Sequence, residues 1–336
     1  MGPQATRLRA YMGRVVVATG YGGPEVLSVV DEPTGDPGPG EARIEVRAAG
    51  VNPVDYKMYS GAFGRDPAAL PLRLGSEAAG VVTQAAPDAL GPAGPVRSGD
   101  EVIAYRVSGA YASELVAPAR SLVPKPERLS WPQAAGLMLA GVTAWHCLAA
   151  TRVSGGDTVL IHGGGGGVGM MAVQLAAGSG ATVIATASPA RHKLLREFGA
   201  IPVGYGPGLA DRVREVAPAG VDAAIDLAGT KEAVDVSVEL VRDRARIATI
   251  AAPQRASQEG IKALGNRPGS DPGTEVRQAA RLDLARLAGD GKLRVIIAAM
   301  YPLAQAAAAH RAIMRGHTGG KIALIPRPPD TVGASS

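Results

Sequence analysis

The stretch TVLIHGGGGGVGMMAVQLA, Thr158 to Ala176, constrains this chain more than any other: an apolar run, five consecutive glycines, then a second apolar run with helical spacing. TVLIH reads as a buried strand, and Val168, Met171, Ala172 and Leu175 recur on one face of a helix behind the glycines. Gly164, Gly166 and Gly169 satisfy the spacing G-x-G-x-x-G. In a strand, turn and helix of this kind, the first glycine permits the tight turn and the second lets a diphosphate approach the backbone. The third lets helix and strand pack closely. Free N–H groups and the positive dipole end at the helix start favour the anion. Gly164, Gly166, Gly167, Val168 and Gly169 therefore form a candidate diphosphate cradle. No Lys-Ser or Lys-Thr follows the glycines, which excludes a Walker-type loop.

The surroundings give this loop a domain. After Trp131 the chain alternates strand and helix: ATVIATAS, ARHKLLREFGA, VDAAIDLAG, KEAVDVSVELV, ARIATIA. That rhythm predicts a parallel sheet covered on both faces. Between Arg14 and Pro126 the runs are short, β-rich and broken by glycine and proline, as in DEPTGDPGPGE, which predicts an antiparallel, partly closed β-barrel. At 336 residues two domains are expected. The net charge of +5 is spread among acidic residues without a basic block, which argues against nucleic acid. Trp131 to Ala150 lacks charge, but Gly136, Gly141, Thr143 and His146 make it a buried helix rather than a membrane span. The lone Cys147 excludes an internal disulfide and suits a reducing cytoplasm. Met1 to Arg14 has no signal-peptide core and reads as an extension before the first strand, and RPPDTVGASS reads as a disordered tail.

The second strand of the parallel sheet fixes which dinucleotide suits the loop. An NAD site places an Asp or Glu near that strand's end to accept from the ribose hydroxyls. Here the positions hold Thr186, Ala187 and Ser188, followed by Arg191 and Lys193. A missing acid and two added cations point to NADPH, with Arg191 able to grip a phosphate bidentately.

Further stretches, GYGGPEVL from Gly20, AAGVNPVDYKMYSG from Ala48, LGSEAAGVV from Leu74, SGDEV from Ser98 and AHRAIMRGHTGGKIAL from Ala309, stand in order around the loop. Together they resemble a zinc-free medium-chain dehydrogenase/reductase of the quinone oxidoreductase group, from Arg14 to Pro326. The resemblance implies a GroES-like partly open β-barrel domain formed by both chain ends, 1–134 with 299–336, a Rossmann doubly wound domain between them, 135–298, an active site in the cleft, and a homodimer. Zinc-dependent relatives carry a Cys near Asn52 and a His where this chain has Ser76, so neither ligand is present. With one cysteine and His146 pointing away from Cys147, no metal is expected.

Without a Lewis acid, activated acceptors are the accessible chemistry, because charge spreads from the carbon receiving hydride to a distant oxygen. The resemblance thus implies NADPH-dependent reduction of a small-molecule quinone or α,β-unsaturated carbonyl. An enoyl reductase acting on a thioester or biosynthetic intermediate, and a non-enzymatic NADPH-binding or RNA-binding protein, are the alternatives. The family pattern N-x-x-D is met by Asn52, a candidate donor near the nicotinamide ribose or substrate oxygen, and Asp55, which fixes the loop. Lys57 stands where relatives carry a tyrosine, with Tyr59 and Tyr56 beside it. It either binds the acceptor oxygen or an anionic substrate, or is a surface lysine. Tyr59 and Phe63 either line the acceptor pocket or simply pack. On the cofactor side Ser188 stands at the acid-free strand end, and the resemblance adds Thr143, Tyr205 and Lys321. The polar segment Ala251 to Gly273 reads as a long loop, functional or disordered, with Asn266 and Arg267 facing cofactor or substrate if functional.

Overall fold

The structure, a computed structural model, describes residues 11–316 and 318–326. Expectations for the first ten residues and for the tail from Arg327 lie outside these residues. The first strand, Tyr11–Ala18, begins ahead of the expected Arg14.

The chain divides into two compact units. One comprises the chain up to Lys125, Met300–Met314 and the chain from Ile322 onward; the other comprises Pro126–Ala299 and Arg315–Lys321. The first boundary falls before the expected residue 134. Pro126 packs beside Gly289, where a Cβ would lie 3.2 Å from the proline ring, and Gln133 Nε2 donates to Val295 O at 3.5 Å. These contacts tie 126–134 to the second unit.

The first unit is built on β1 (Glu41–Val51), which continues into helix α1 (Pro53–Tyr59). One edge of β1 pairs antiparallel with β2 (Glu77–Ala85), which pairs in turn with β3 (Glu101–Tyr105). Glu114–Pro118 and the return strand Lys321–Ile325 also pair with β1, antiparallel. Register shifts at Arg43/Ile44 and Val46/Ala48 bend the sheet. Gly80 lets β2 lie so close that a Cβ there would overlap Glu45 O. A separate sheet, with Tyr11–Ala18 between Leu27–Thr34 and Leu72–Arg73, completes the GroES-like domain.

In the second unit, Trp131–Ala135 and α2 (Met138–Ala150) form the expected buried segment, interrupted at Gly136. Six strands follow: β4 (Thr158–His162), β5 (Thr182–Thr186), β6 (Ala200–Val203), β7 (Ala223–Asp226), β8 (Ile247–Thr249) and β9 (Lys262–Ala263). They lie parallel in the order β6-β5-β4-β7-β8-β9. This is the doubly wound Rossmann order, whose direction reverses between β4 and β7 and opens a crevice at the strand ends. α3 (Gly167–Gly178) connects β4 to β5, and α4 (Pro189–Glu197) connects β5 to β6. Leu160, Ile184, Ala224 and Ile247 pack with Val213 and Val234 as part of its core.

The first half of the expected long loop from Ala251 to Gly273 is instead structured, while 264–273 is irregular. Helix Pro253–Glu259 starts on a proline, ends on left-handed Gly260 at φ +65°, and leads into β9 at the sheet edge. Proline at a first helical position and glycine after a last one are helix boundaries as much as loop signals.

Candidate functional site

The crevice at the ends of β4, β5 and β7 has a volume of about 540 Å³. The glycine loop forms its floor, and Gly163 is its turn residue, at φ +76°. Thr186, the last residue of β5, stitches the loop down: Gly163 N–H donates to its hydroxyl at 3.1 Å and Gly164 N–H to its carbonyl at 2.9 Å. A Cβ on Gly164 would lie 2.8 Å from Ala185 Cβ, and one on Gly169 would overlap Gly163 O. Those two glycines therefore serve close packing, while Gly163, Gly165 and Gly166 line the crevice. The first bond in α3 runs from Met170 N–H to Gly166 O at 2.9 Å, which leaves the N–H groups of Gly167, Val168 and Gly169 without helix acceptors. A bare backbone and three orphan donors fit a dinucleotide diphosphate.

Ser188 caps α4 by position, yet its hydroxyl makes no capping bond. It lines the crevice with Arg191, and neither side chain has a hydrogen-bond or ion-pair partner among the described residues. The Arg191 guanidinium packs on Gly319, and Gly316, Thr318 and Gly319 close that wall. Lys193 is exposed and absent from the lining, because two residues along a helix turn it about 200° from Arg191.

Tyr205 is 54% exposed at the crevice mouth. Its turn is braced by Arg212, which donates to Gly204 O and Gly206 O, and by Glu232, which accepts from Gly206 N–H at 2.9 Å. The opposite wall is shaped by buried Asp226, which accepts from Ala228 N–H at 2.9 Å, Gly229 N–H at 2.8 Å and the Thr249 hydroxyl at 2.7 Å. His162 also borders the crevice; burial lowers its pKa to about 4.

Three other expected residues are placed outside the crevice lining. Thr143 bonds back to Leu139 O at 2.7 Å within α2, Asn266 is exposed beyond β9, and Lys321 lays its stem against Gly136 and Gly167. None of them lines the crevice. His146 bonds Asp271 at 3.1 Å and accepts from Arg277 at 3.2 Å, and burial holds the Cys147 thiol up at about 12.

In the first unit, the N-x-x-D residues belong to a buried network. Asn52 caps α1, and its backbone N–H donates to Asp55 Oδ2 at 2.8 Å. Its amide donates to Gly50 O at 3.3 Å and Glu77 Oε1 at 2.9 Å, so both amide hydrogens are engaged within the fold. This differs from the expected donor to ribose or substrate. Asp55 also accepts from the Ser76 hydroxyl at 3.2 Å and the Tyr111 hydroxyl at 2.8 Å. Tyr59 is not at a ligand surface: it is 1% exposed, with its hydroxyl 2.8 Å from His310 Nδ1. Tyr111 lies 3.1 Å from Nε2 of the same imidazole. Burial, then the charges of Glu25 and Asp55, push the Tyr59 phenol up; burial and Asp55 do the same to Tyr111. Burial lowers His310 to about 4. Lys57 is half-buried and Phe63 is 50% exposed.

Sequence reading missed Gly163, Asp226, Glu232, Tyr111 and His310. Only Gly163 had a signal, since it belongs to the glycine run.

Two family profiles match the chain: the alcohol dehydrogenase GroES-like domain over residues 38–127 and a zinc-binding dehydrogenase over 205–324. Quinone oxidoreductase of Pseudomonas aeruginosa is 33% identical, covering 94% of this chain and 100% of the relative. Quinone oxidoreductase of Mus musculus is 31% identical, covering 91% and 96%. Among solved structures, Escherichia coli quinone oxidoreductase complexed with NADPH matches with a TM-score of 0.80 at 26% identity, covering 93% of this chain and 100% of that one. With a crevice that fits a dinucleotide diphosphate on a Rossmann sheet, a GroES-like domain and relatives over nearly its whole length, the chain is an oxidoreductase belonging to the quinone oxidoreductase group of the medium-chain dehydrogenase/reductase superfamily.

Proposed function

We propose that the chain is an NADPH-dependent reductase delivering hydride to a quinone or to the β carbon of an α,β-unsaturated carbonyl, without zinc. The observation that carries the reading is the corner between β5 and α4. No carboxylate stands at the strand end, while Ser188 and Arg191 line the crevice with their donors uncommitted. A ribose 2′-phosphate finds a hydroxyl and a bidentate cation there, whereas a ribose diol finds no carboxylate.

Bound NADPH supplies the hydride, and the residues hold and orient. The α3 N–H groups take the diphosphate, Tyr205 offers a ring face to the adenine, and the α1 segment orients the acceptor. Tyr59 and Tyr111 are buried with their hydroxyls bonded to His310 and Asp55, which leaves solvent or another side chain of that segment as proton donor. The zinc-free reading rests on the donor set: Ser76 commits its proton to Asp55, and no group of His, Cys, Asp or Glu among the described residues is arranged to hold a metal. A homodimer and a cytoplasmic location complete the proposal, resting on the family resemblance and the single cysteine, buried Cys147. Among the described residues no helix is long and apolar enough to cross a membrane.

Steady-state NADPH oxidation with a quinone, an enal and an enoyl thioester tests the acceptor. Turnover with the quinone or enal is expected. Activity confined to the thioester would establish the enoyl reductase alternative, and salt-sensitive RNA binding without turnover a non-enzymatic one.

A further inference from the structure

The proton positions around His310 follow from its neighbours. Tyr111 has one hydroxyl proton and donates it to Asp55 Oδ2 at 2.8 Å. Its oxygen is therefore the acceptor at the 3.1 Å contact with His310 Nε2, so that nitrogen carries the hydrogen. A neutral imidazole has only one N–H, so Nδ1 is a lone pair, and Tyr59 donates to it at 2.8 Å. The chain of donors runs one way, from Tyr59 through His310 and Tyr111 to Asp55. Ser76 and the Asn52 backbone join it at the carboxylate.

This geometry ties both ends of α1 to one side chain of a distant helix. Asp55 and Tyr59 are four residues apart, hence on one helix face. Tyr59 meets His310 directly, with rings stacked at 5.6 Å, and Asp55 meets it through Tyr111. A helix of seven residues has no stability of its own, so its order comes from such tertiary bonds. Tyr56 and Lys57 lie off the tethered face and are half-buried.

We propose that His310, held as the Nε2–H tautomer, is a positioning residue for the segment Asn52–Ser60, acting directly on Tyr59 and through Tyr111 on Asp55. It touches neither acceptor nor cofactor; it sets the register of the segment that the proposed function assigns to the acceptor, and it rests on that reading only for its effect on turnover.

The test uses the full chain. With ¹⁵N-labelled histidine, long-range correlation spectra at pH 7.5 should show His310 as the Nε2–H tautomer, assigned by loss of its signals in His310→Phe. The Nδ1–H tautomer, or a rapidly averaged pair, would overturn the inference. His310→Phe keeps ring volume and removes both bonds. Its kcat with a quinone should fall about tenfold or more, with the KM for NADPH unchanged and amide exchange in α1 accelerated. Wild-type kcat, or a parallel rise in the NADPH KM, would contradict the positioning role. Tyr59→Phe removes one of the two bonds and should cause a smaller loss in the same direction; an unchanged enzyme would remove the direct arm. Should the wild type oxidise NADPH with no acceptor, the proposed function fails, while tautomer and amide exchange still decide the role of His310.

Discussion

The guanidinium of Arg191 lies against the bare Cα of Gly319, a residue at φ +68°, so that a Cβ at 319 would overlap Nη2 and Cζ. The residue proposed to select NADPH is thus held by the absence of a side chain on the facing wall. Gly319→Val should displace the guanidinium and weaken NADPH binding roughly 10- to 100-fold, the range of charge-assisted hydrogen bonds, with NADH affinity little changed. Arg191→Ala should give the same loss of selectivity without backbone strain. Calorimetric titration of both cofactors checks this; equal losses for NADPH and NADH would remove Arg191 from 2′-phosphate recognition.

Gly169 answers for the packing of α3 on the glycine loop. A Cβ there runs into Gly163 O, which is backbone. Gly169→Ala should cost about 1–3 kcal/mol by overpacking and weaken both cofactors alike. Urea midpoints together with the titrations check it; unaltered stability would mean the loop yields freely.

Burial lowers both His162 and His310 from 6.5 to about 4. Between those values the unfolded chain binds more protons than the folded one, so stability rises with pH across the window and is lost as pH falls from 6.5 towards 4. Each imidazole contributes up to about 3 kcal/mol to the change. Urea midpoints should fall from pH 7 to pH 5, and His310→Phe should reduce that slope. A pH-independent midpoint would contradict the burial of neutral imidazoles.

Cys147 is buried with its thiol held up at about 12, so almost no thiolate exists at neutral pH. Maleimide at pH 7.5 should leave the folded protein unlabelled and should label it in urea. Rapid labelling of the folded chain would show that α2 opens.

The Rossmann sheet was legible because its signals are local: TVLIH, the glycines and the strand–helix alternation each lie within a short window. The acid-free end of β5 and Arg191 were legible for the same reason. The assignments within the glycine run were not, because five consecutive glycines satisfy several registers and only the backbone distinguishes Gly163 at φ +76°. Lys193 was read from its charge, and helix geometry turned it away. Asn52 was read as facing a ligand, and Tyr59 was left between pocket and packing, because their partners, Glu77 and His310, are 25 and 251 residues distant in sequence. Ala251 to Gly273 was read as loop because its glycine and proline also bound a helix and an edge strand.

Hydride transfer from NADPH in preference to NADH is the step on which the proposed function stands. The most direct measurement is kcat/KM for each cofactor with a saturating quinone, followed at the nicotinamide absorbance. The expected result is turnover with NADPH favoured over NADH by about 10- to 100-fold, as the Arg191 contact allows. Equal kcat/KM for the two cofactors, or no oxidation of either, would contradict it.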